Sequence, residues 1–233
     1  MLKLKNYTVD EIFSDVTLTF EAGKTYVIMG SNGVGKSTLI HSLMGKPGLP
    51  EVSGSAVFLG SDINTLETDQ RARLGMFVGF QAPTSIPGLS NFQFIKQATG
   101  IKVTEIKDNL TKFKDIAGTL GLPNDWDKRN LNTDASGGEK KKNELIQMKM
   151  LDPTVAILDE PDSGLDVDAI NSLIEQLQGF NSKDKTIIIV SHYEKLLKSF
   201  EPTTVTVVAN GTTTQTTDAG VVDKVLLNGF KDF

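Results

Sequence analysis

Continuous apolar runs alternate along this chain with segments of helical character. Residues 26–29 form a short apolar run, and residues 155–158 and 186–190 are continuous runs of β-branched or aliphatic side chains. Runs that are apolar on both faces are typical of central strands in a parallel sheet that helices cover on each side. Residues 165–180 lie between the second run and the third and would form the connecting helix. The pattern therefore predicts an α/β fold with a mostly parallel core sheet.

Alternating positions predict an antiparallel β subdomain in addition to that core. Residues 16–20 alternate between apolar side chains and threonine, which is typical of a strand with one buried face. Residues 54–59 and 75–80 are further strand-like segments bounded by glycine or polar residues. Near the C-terminus, Asn210-Gly211 separates two strand-like segments, and this dipeptide predicts a hairpin turn.

From residue 82 to about residue 132 the pattern changes to helices and loops, and we place a helical insert at about residues 82–150. One stripe of apolar positions recurs there at three- and four-residue steps, as on one face of a helix. Its members are Ile106, Leu110, Phe113, Ile116 and Leu120. We predict a single domain over residues 1–233 that contains this helical insert.

A glycine-rich segment lies where the first apolar run ends. It matches the P-loop pattern, in which backbone N–H groups converge on phosphate oxygens, lysine adds a positive charge and a hydroxyl reaches Mg²⁺. A strand precedes it and residues 37–44 have helical spacing, so phosphates would meet a helix N-terminus. The predicted phosphate site for ATP comprises Gly30, Ser31, Asn32, Gly33, Val34, Gly35, Lys36, Ser37 and Thr38.

Polar residues follow two of the buried runs. Asp159 ends one run and Glu160 comes next, while His192 follows another. Ligands of open α/β sheets bind at the carboxyl ends of the strands, so we expect Asp159 to hold Mg²⁺, Glu160 to act as general base on water, and His192 to contact the γ-phosphate. The alternative for His192 is a structural hydrogen bond, and His41, within the P-loop helix, is expected to pack.

Composition excludes several classes of function. The 233 residues carry a net charge of −5 with both signs interspersed, which argues against nucleic-acid or membrane-surface binding. The chain has no cysteine, so it forms no disulfide and cannot ligate an iron–sulfur cluster through its own thiolates. No apolar run approaches the length of a membrane span, and residues 1–7 lack the stretch of a signal peptide. We expect a cytoplasmic protein without direct membrane insertion.

Three further segments resemble motifs of the ABC ATPase family. Ser136, Gly137, Gly138 and Glu139 resemble its signature, Ser163, Gly164, Leu165 and Asp166 its D-loop, and Gln81 its Q-loop glutamine. The resemblance implies that the signature contacts ATP bound to a second copy of the chain. It also implies that Gln81 touches Mg²⁺ and links the nucleotide to partner proteins.

Within that family, the chain resembles SufC, the ATPase family of SUF iron–sulfur cluster assembly. The matching segments are residues 80–83, 86–88, 136–144, 157–166 and 191–193. The resemblance implies a scaffold of SufB/SufD-like subunits, which ATP-driven dimerisation reshapes. Ala135, Pro161 and Ser191 depart from the pattern without removing a catalytic group, and the residue that stacks on adenine is left open between Tyr7 and Phe13.

Two alternatives to the SUF function stay open. The ATPase subunit of a membrane transporter would share all of the core motifs, although Asp162 and the lysine run argue against it. A chromosome-organising or DNA-repair ATPase would need long coiled-coil arms, and the chain lacks heptads.

Lys140, Lys141 and Lys142 stand in the first turns of the predicted signature helix, where the helix dipole disfavours cations. Glu139 and Glu144 would compensate for them in part. The positive charge that these glutamates do not compensate would face nucleotide phosphate, an acidic partner surface or solvent.

Overall fold

Residues 1–180, 182–200, 202–218 and 220–230 are described by the structure, which is a computed structural model. The chain separates into two compact units. The first unit comprises residues 1–78, 154–161 and 181–233, and the second comprises residues 79–153 and 162–180. The assignment of residues 1–233 to a single domain with an insert at about 82–150 stays a prediction.

The strands of the described residues form three sheets. Their orders are β2-β1-β4-β5, β12-β11-β3-β10-β9-β6 and β7-β8. The strands are β1 (Leu2–Val9), β2 (Phe13–Phe20), β3 (Thr25–Gly30), β4 (Val52–Phe58), β5 (Ser61–Asp62), β6 (Met76–Gly79), β7 (Ile86–Ser90), β8 (Asn130–Leu131), β9 (Val155–Asp159), β10 (Thr186–Val190), β11 (Thr204–Ala209) and β12 (Thr212–Thr216).

Helices are interspersed with the strands along the chain, and two short 3₁₀ turns occur at Ile63–Thr65 and Val103–Glu105. The α-helices are α1 (Lys36–Leu43), α2 (Thr68–Arg73), α3 (Asn91–Thr99), α4 (Ile106–Thr119), α5 (Gly137–Leu151), α6 (Val167–Gln178), α7 (Glu194–Ser199) and α8 (Gly220–Asn228).

The core sheet of the first unit confirms the predicted α/β fold class. Strand β10 pairs in parallel with β3 on one side and with β9 on the other, and β11 adds a further parallel strand beside β3. Every residue of β3, β9 and β10 is buried, as expected for continuous apolar runs. The Asn210-Gly211 turn joins β11 to β12 as the predicted hairpin.

The antiparallel subdomain also forms as predicted. Strand β1 pairs with β2 and with β4, in both cases antiparallel. Alternate residues of β2 are buried, because one face of the sheet is covered and the other meets solvent. The register of β1 against β4 shifts between Lys5 and Thr8, so the ladder is irregular around Asn6.

The second unit is built from α3, α4, α5 and α6 with the short β7–β8 ladder. The apolar stripe that predicted a helix lies on α4, where Phe113 is buried and packs edge-to-face against Phe92 of α3 at 5.8 Å between ring centroids. Trp126 is buried, and its Nε1 donates to Asn143 Oδ1 of α5 at 2.9 Å. A polar contact therefore lies inside the apolar packing of these helices.

Substitution of two glycines tests the irregular strand pairing. Gly54 and Gly48 have φ of +81° and +80°, but an added Cβ would lie 2.0 Å from the Asn6 carbonyl oxygen at Gly54 and meet nothing within 4 Å at Gly48. We expect Gly48→Ala to lower the free energy of unfolding by about 1 kcal/mol, and Gly54→Ala by roughly 3 kcal/mol or more, since backbone must move. Denaturant unfolding of both variants measures this, and equal losses would contradict the account.

Candidate active site

The P-loop connects the end of β3 to the start of α1 in the first unit. Lys36 is only 6% exposed, and its Nζ donates to the carbonyl oxygens of Gly30 at 2.8 Å and Ser31 at 2.9 Å. Burial lowers the pKa of Lys36, and the carboxylates of Glu160 and Asp159 oppose that shift. The lysine ammonium therefore lies inside the loop and within electrostatic range of both acidic residues.

Gly35 fixes how the loop enters α1. Its φ is +100°, and an added Cβ would lie 2.5 Å from Ile12 Cγ2 and 2.8 Å from Phe13 Cε2, so only glycine fits there. Gly35 is the N-cap of α1, and among the described residues no side chain caps this helix end. The first N–H groups of α1 are thus available to an anion, as phosphate binding at a helix N-terminus requires.

Asp159 ends strand β9 and Glu160 follows it, with different backbone conformations. Asp159 is 1% exposed, whereas Glu160 is half-buried and has a φ of 46°. That left-handed conformation costs a non-glycine residue on the order of 1 kcal/mol. The Glu160 amide donates to the Val190 carbonyl oxygen of β10 at 2.9 Å. The backbone at Glu160 is therefore held by the neighbouring strand.

His192 follows β10 at the same edge of the sheet. Val190 pairs with Asp159 of β9 and with Ile28 of β3. His192 lies two residues after Val190, and Gly30 lies two residues after Ile28. The buried hydroxyl of Ser191 accepts from the Tyr193 amide at 2.9 Å, and the His192 ring lies 6.4 Å from that of Phe230, edge-to-face. The strand register brings His192, Glu160, Asp159 and the P-loop to one edge.

His41 lies within α1 and is half-buried. Burial is the main cause that lowers its pKa, and Lys46 lowers it further. Both effects disfavour the charged imidazole, and the packing role of His41 stays a prediction.

The oxygen ligands at this edge fit a magnesium ion for which water and phosphate supply most of the other ligands. Ser37, half-buried in the first turn of α1, offers a hydroxyl, and Asp159 offers a carboxylate. Mg²⁺ prefers oxygen ligands and is usually held by one or two protein groups together with substrate phosphates. Among the described residues, no cluster of three or more histidine, cysteine, aspartate or glutamate side chains could hold a metal by itself.

The signature and the D-loop lie together in the second unit. Ser136 is the N-cap of α5 and forms a capping box with Glu139. An added Cβ at Gly138 would lie 3.7 Å from Leu165 Cδ2, so Leu165 of the D-loop packs beside the signature. Asp166 Oδ1 accepts from the Ala169 amide at 2.8 Å and caps α6. Gln81, which follows Phe80 after β6, is exposed.

The two aromatic candidates for adenine stacking are core residues. Tyr7 is fully buried and Phe13 is 1% exposed, and the Tyr7 hydroxyl donates to Ser42 Oγ at 3.0 Å. Burial raises the pKa of Tyr7. Because neither ring presents a face to solvent, their placement does not support either as the stacking residue.

Of the three lysines at residues 140–142, one is buried and two are partly exposed. Lys141 is buried and contacts Glu144 and the backbone of Phe80, whereas Lys140 and Lys142 are half-buried. Lys141 is therefore compensated within the chain itself. Sequence reasoning named Glu144 as a partial partner but missed Phe80, and the only available signal was the three-residue spacing of Lys141 and Glu144 on one helix.

A family model and known proteins of similar sequence match most of this chain. A family model described as ABC transporter matches residues 13–163. A probable ABC transporter ATP-binding protein of Streptococcus pyogenes serotype M18 is 37% identical over 225 residues, with 94% of this chain and 88% of that protein covered. A probable ATP-dependent transporter ycf16 of Cyanophora paradoxa is 36% identical over 242 residues, with 99% and 93% covered.

Solved structures share the fold at lower identity. The ATP-binding subunit of an ABC transporter aligns with a TM-score of 0.78 at 22% identity and covers 99% of this chain and 95% of its own. A dimeric ATP-binding cassette in a post-hydrolysis state, bound to ADP and Pi, aligns with a TM-score of 0.76 at 20% identity, with 93% and 98% covered. These alignments confirm the fold class.

The capping box of α5 gives a pH-dependent prediction. Glu139 Oε2 accepts from the backbone amide and from the hydroxyl of Ser136, each at 2.8 Å, and the backbone bond is the main cause that lowers the Glu139 pKa. A lowered carboxyl pKa adds stability above the ordinary value of about 4.3, and that stability is lost as pH falls through the folded pKa. We therefore expect the wild type to have a higher free energy of unfolding than Glu139→Gln at neutral pH. This difference should become smaller below about pH 4.3.

Denaturant unfolding at a series of pH values measures this difference. Glu51→Gln, at an exposed position, is the matched control for the loss of one negative charge. A difference that stays constant from neutral to acidic pH would contradict the role of the Glu139 carboxylate.

Proposed function

This chain belongs to the ABC transporter family of ATP-binding proteins, and from that premise we propose the roles of its residues and the machine that it drives. It is an ABC-type ATPase, and ATPases of this family use ATP with Mg²⁺. The proposed function is to hydrolyse ATP at a site shared by two copies and so to reshape a SUF scaffold on which an iron–sulfur cluster forms.

The alignment of β3, β10 and β9 at one sheet edge is the observation that carries the proposed chemistry. Lys36 and the P-loop amides would bind the phosphates, and Ser37 and Asp159 would hold Mg²⁺, which neutralises phosphate charge. Glu160, which is more exposed than Asp159 and has a left-handed backbone, would orient and deprotonate the attacking water. His192 would donate a hydrogen bond to a γ-phosphate oxygen.

The signature and the D-loop would act on ATP bound to a second copy of the chain. Ser136 as N-cap places the first amides of α5 at an exposed helix end, a geometry that suits the γ-phosphate. Leu165 beside Gly138 would connect the D-loop to the same contact. Dimerisation on ATP binding follows, because each site then needs residues from both copies.

The SUF assignment is supported by the segments that resemble SufC. Residues 139–143 and Asp162 are the most specific of these. The absence of cysteine from the sequence means that thiolate ligands for a cluster would come from SufB/SufD-like scaffold subunits in the cytoplasm. Gln81 would link the nucleotide to those subunits.

The second candidate is the ATPase subunit of a membrane transporter. The relatives from Streptococcus pyogenes and Cyanophora paradoxa are both named as transporter proteins, and this observation favours the transporter candidate. No helix within the described residues is long and apolar enough to cross a bilayer. The two candidates differ in their partners and not in their ATPase chemistry.

Partner identity therefore distinguishes the candidates. The tagged full chain is purified from its own host without detergent, and co-purifying proteins are identified by mass spectrometry. The SUF proposal predicts cysteine-bearing scaffold subunits in the detergent-free fraction. Recovery of polytopic membrane proteins, and only when detergent is present, would overturn it in favour of the transporter candidate.

Glu160→Gln tests the assignment of the general base. We expect ATP affinity to stay within about twofold of the wild type while turnover falls by roughly 10²-fold or more, because the amide cannot accept the proton from water. Lys36→Ala is the contrasting variant and is expected to weaken ATP binding about tenfold or more, since phosphate loses its nearest cation. Equilibrium nucleotide binding and steady-state hydrolysis measure both. Turnover of Glu160→Gln at the wild-type rate would refute the assignment.

A further inference from the structure

Two charged side chains of α5 bind both backbone polar groups of Phe80. The Phe80 amide donates to Glu144 Oε1 at 2.6 Å, and Lys141 Nζ donates to the Phe80 carbonyl oxygen at 2.7 Å. Lys141 Nζ also lies 3.6 Å from Glu144 Oε2, with side-chain exposures of 5% and 10%. We call this pair the Phe80 clamp. Phe80 directly precedes Gln81, so the clamp fixes the backbone on one side of the Q-loop glutamine.

An amide network from the same helix fixes the other side. Asn143 Nδ2 donates to Asn132 Oδ1 at 2.9 Å, and Asn132 Nδ2 donates to the Thr84 carbonyl oxygen at 2.9 Å. Ser85 Oγ donates to the Asn132 carbonyl oxygen at 2.8 Å. Asn143 and Asn132 are buried, so water competes little for these bonds. We call these contacts the asparagine network.

Residues 80–85 are thus connected to α5 at both ends. The bonds that form the Phe80 clamp are charge-assisted and partly buried, and charge-assisted bonds are shorter and stronger than bonds between neutral groups. Ser136 begins the same helix, five residues before Lys141, which is roughly 7–8 Å along the axis. A helix of this length is rigid over that distance, so the Q-loop backbone and the signature share one support.

We propose that Lys141, Asn143 and Glu144 are positioning residues that fix the Gln81 loop to the signature helix, so that Gln81 and Ser136 move as one element. The proposal rests on the proposed function and deepens it, because a partner that contacts the Gln81 loop would displace the signature directly. It also gives Lys141 an internal role: this lysine binds the chain's own backbone, and neither nucleotide phosphate nor a partner is needed to compensate for it.

Hydrogen exchange of the full-length protein measures the connection without reference to ATP. Lys141→Met with Glu144→Met removes the clamp without leaving one buried charge unpaired, a double change that proteins often tolerate. We expect exchange of the peptide covering residues 79–85 to accelerate by roughly tenfold or more, because the Phe80 amide loses its acceptor. Glu144→Gln retains an acceptor and is expected to give a smaller acceleration. Lys140→Met, at a position outside the clamp, is the matched control and should leave this peptide unchanged.

Asn143→Ala provides a second and independent variant if the double substitution prevents folding. It breaks the asparagine network and is expected to accelerate exchange at residues 84–85 more than at Phe80. Unchanged exchange of the peptide in the folded variants, or equal acceleration in Lys140→Met, would overturn the proposal.

A double-mutant cycle then tests positioning of Gln81. The clamp substitution should raise the Mg²⁺ concentration for half-maximal ATP hydrolysis by about tenfold in the wild-type background and have little further effect in Gln81→Ala, since interacting residues are non-additive. An equal effect in both backgrounds would show a role that bypasses Gln81 and would overturn the proposal. Absence of hydrolysis in the wild type would instead refute the proposed function, while the exchange result would still stand.

Discussion

The register of three parallel strands is the constraint on which the site in the first unit depends. Val190 of β10 lies opposite Asp159 on one side and Ile28 on the other. A shift by one residue would reverse the facing of every side chain in the moved strand. Both faces of these strands are buried, so burial alone does not oppose such a shift. The shift is opposed because side chains of different sizes are closely packed in the core and would all have to repack. Packing of apolar side chains thus determines where the P-loop, two carboxylates and an imidazole meet.

The second unit relies on polar groups inside its core. Asn143 contacts Trp126, Asn91 and Asn132, and the neighbouring Lys141 and Glu144 bind Phe80. Buried polar groups are costly when unpaired and specify one arrangement when every bond is made. The helix that presents the signature therefore has few alternative positions relative to the loop that contains Gln81. Such rigidity suits an element that transmits displacement and does not absorb it.

Much of the fold could be predicted from sequence because local patterns determined it. The buried strands β9 and β10 are continuous apolar runs, and the P-loop lies between a strand and a helix as its glycines indicate. The burial of Tyr7 and Phe13 was not predicted, since the same aromatic side chain fits a core or a stacking site. The contacts of Lys141 with Phe80 were also missed, because 61 residues separate them along the chain and a run of lysines is typical of a solvated surface.

The roles of the residues at the sheet edge depend on what binds there, and the chain offers a direct probe because it has only two histidines. His192 lies at the proposed γ-phosphate position, and His41 lies in α1. With histidine-labelled protein, we expect a non-hydrolysable Mg²⁺–ATP analogue to shift the His192 ring signal in the NMR spectrum by clearly more than Mg²⁺–ADP does. Identical His192 signals with the two nucleotides, at saturation of both, would contradict the claim that the strand register brings His192 to the γ-phosphate.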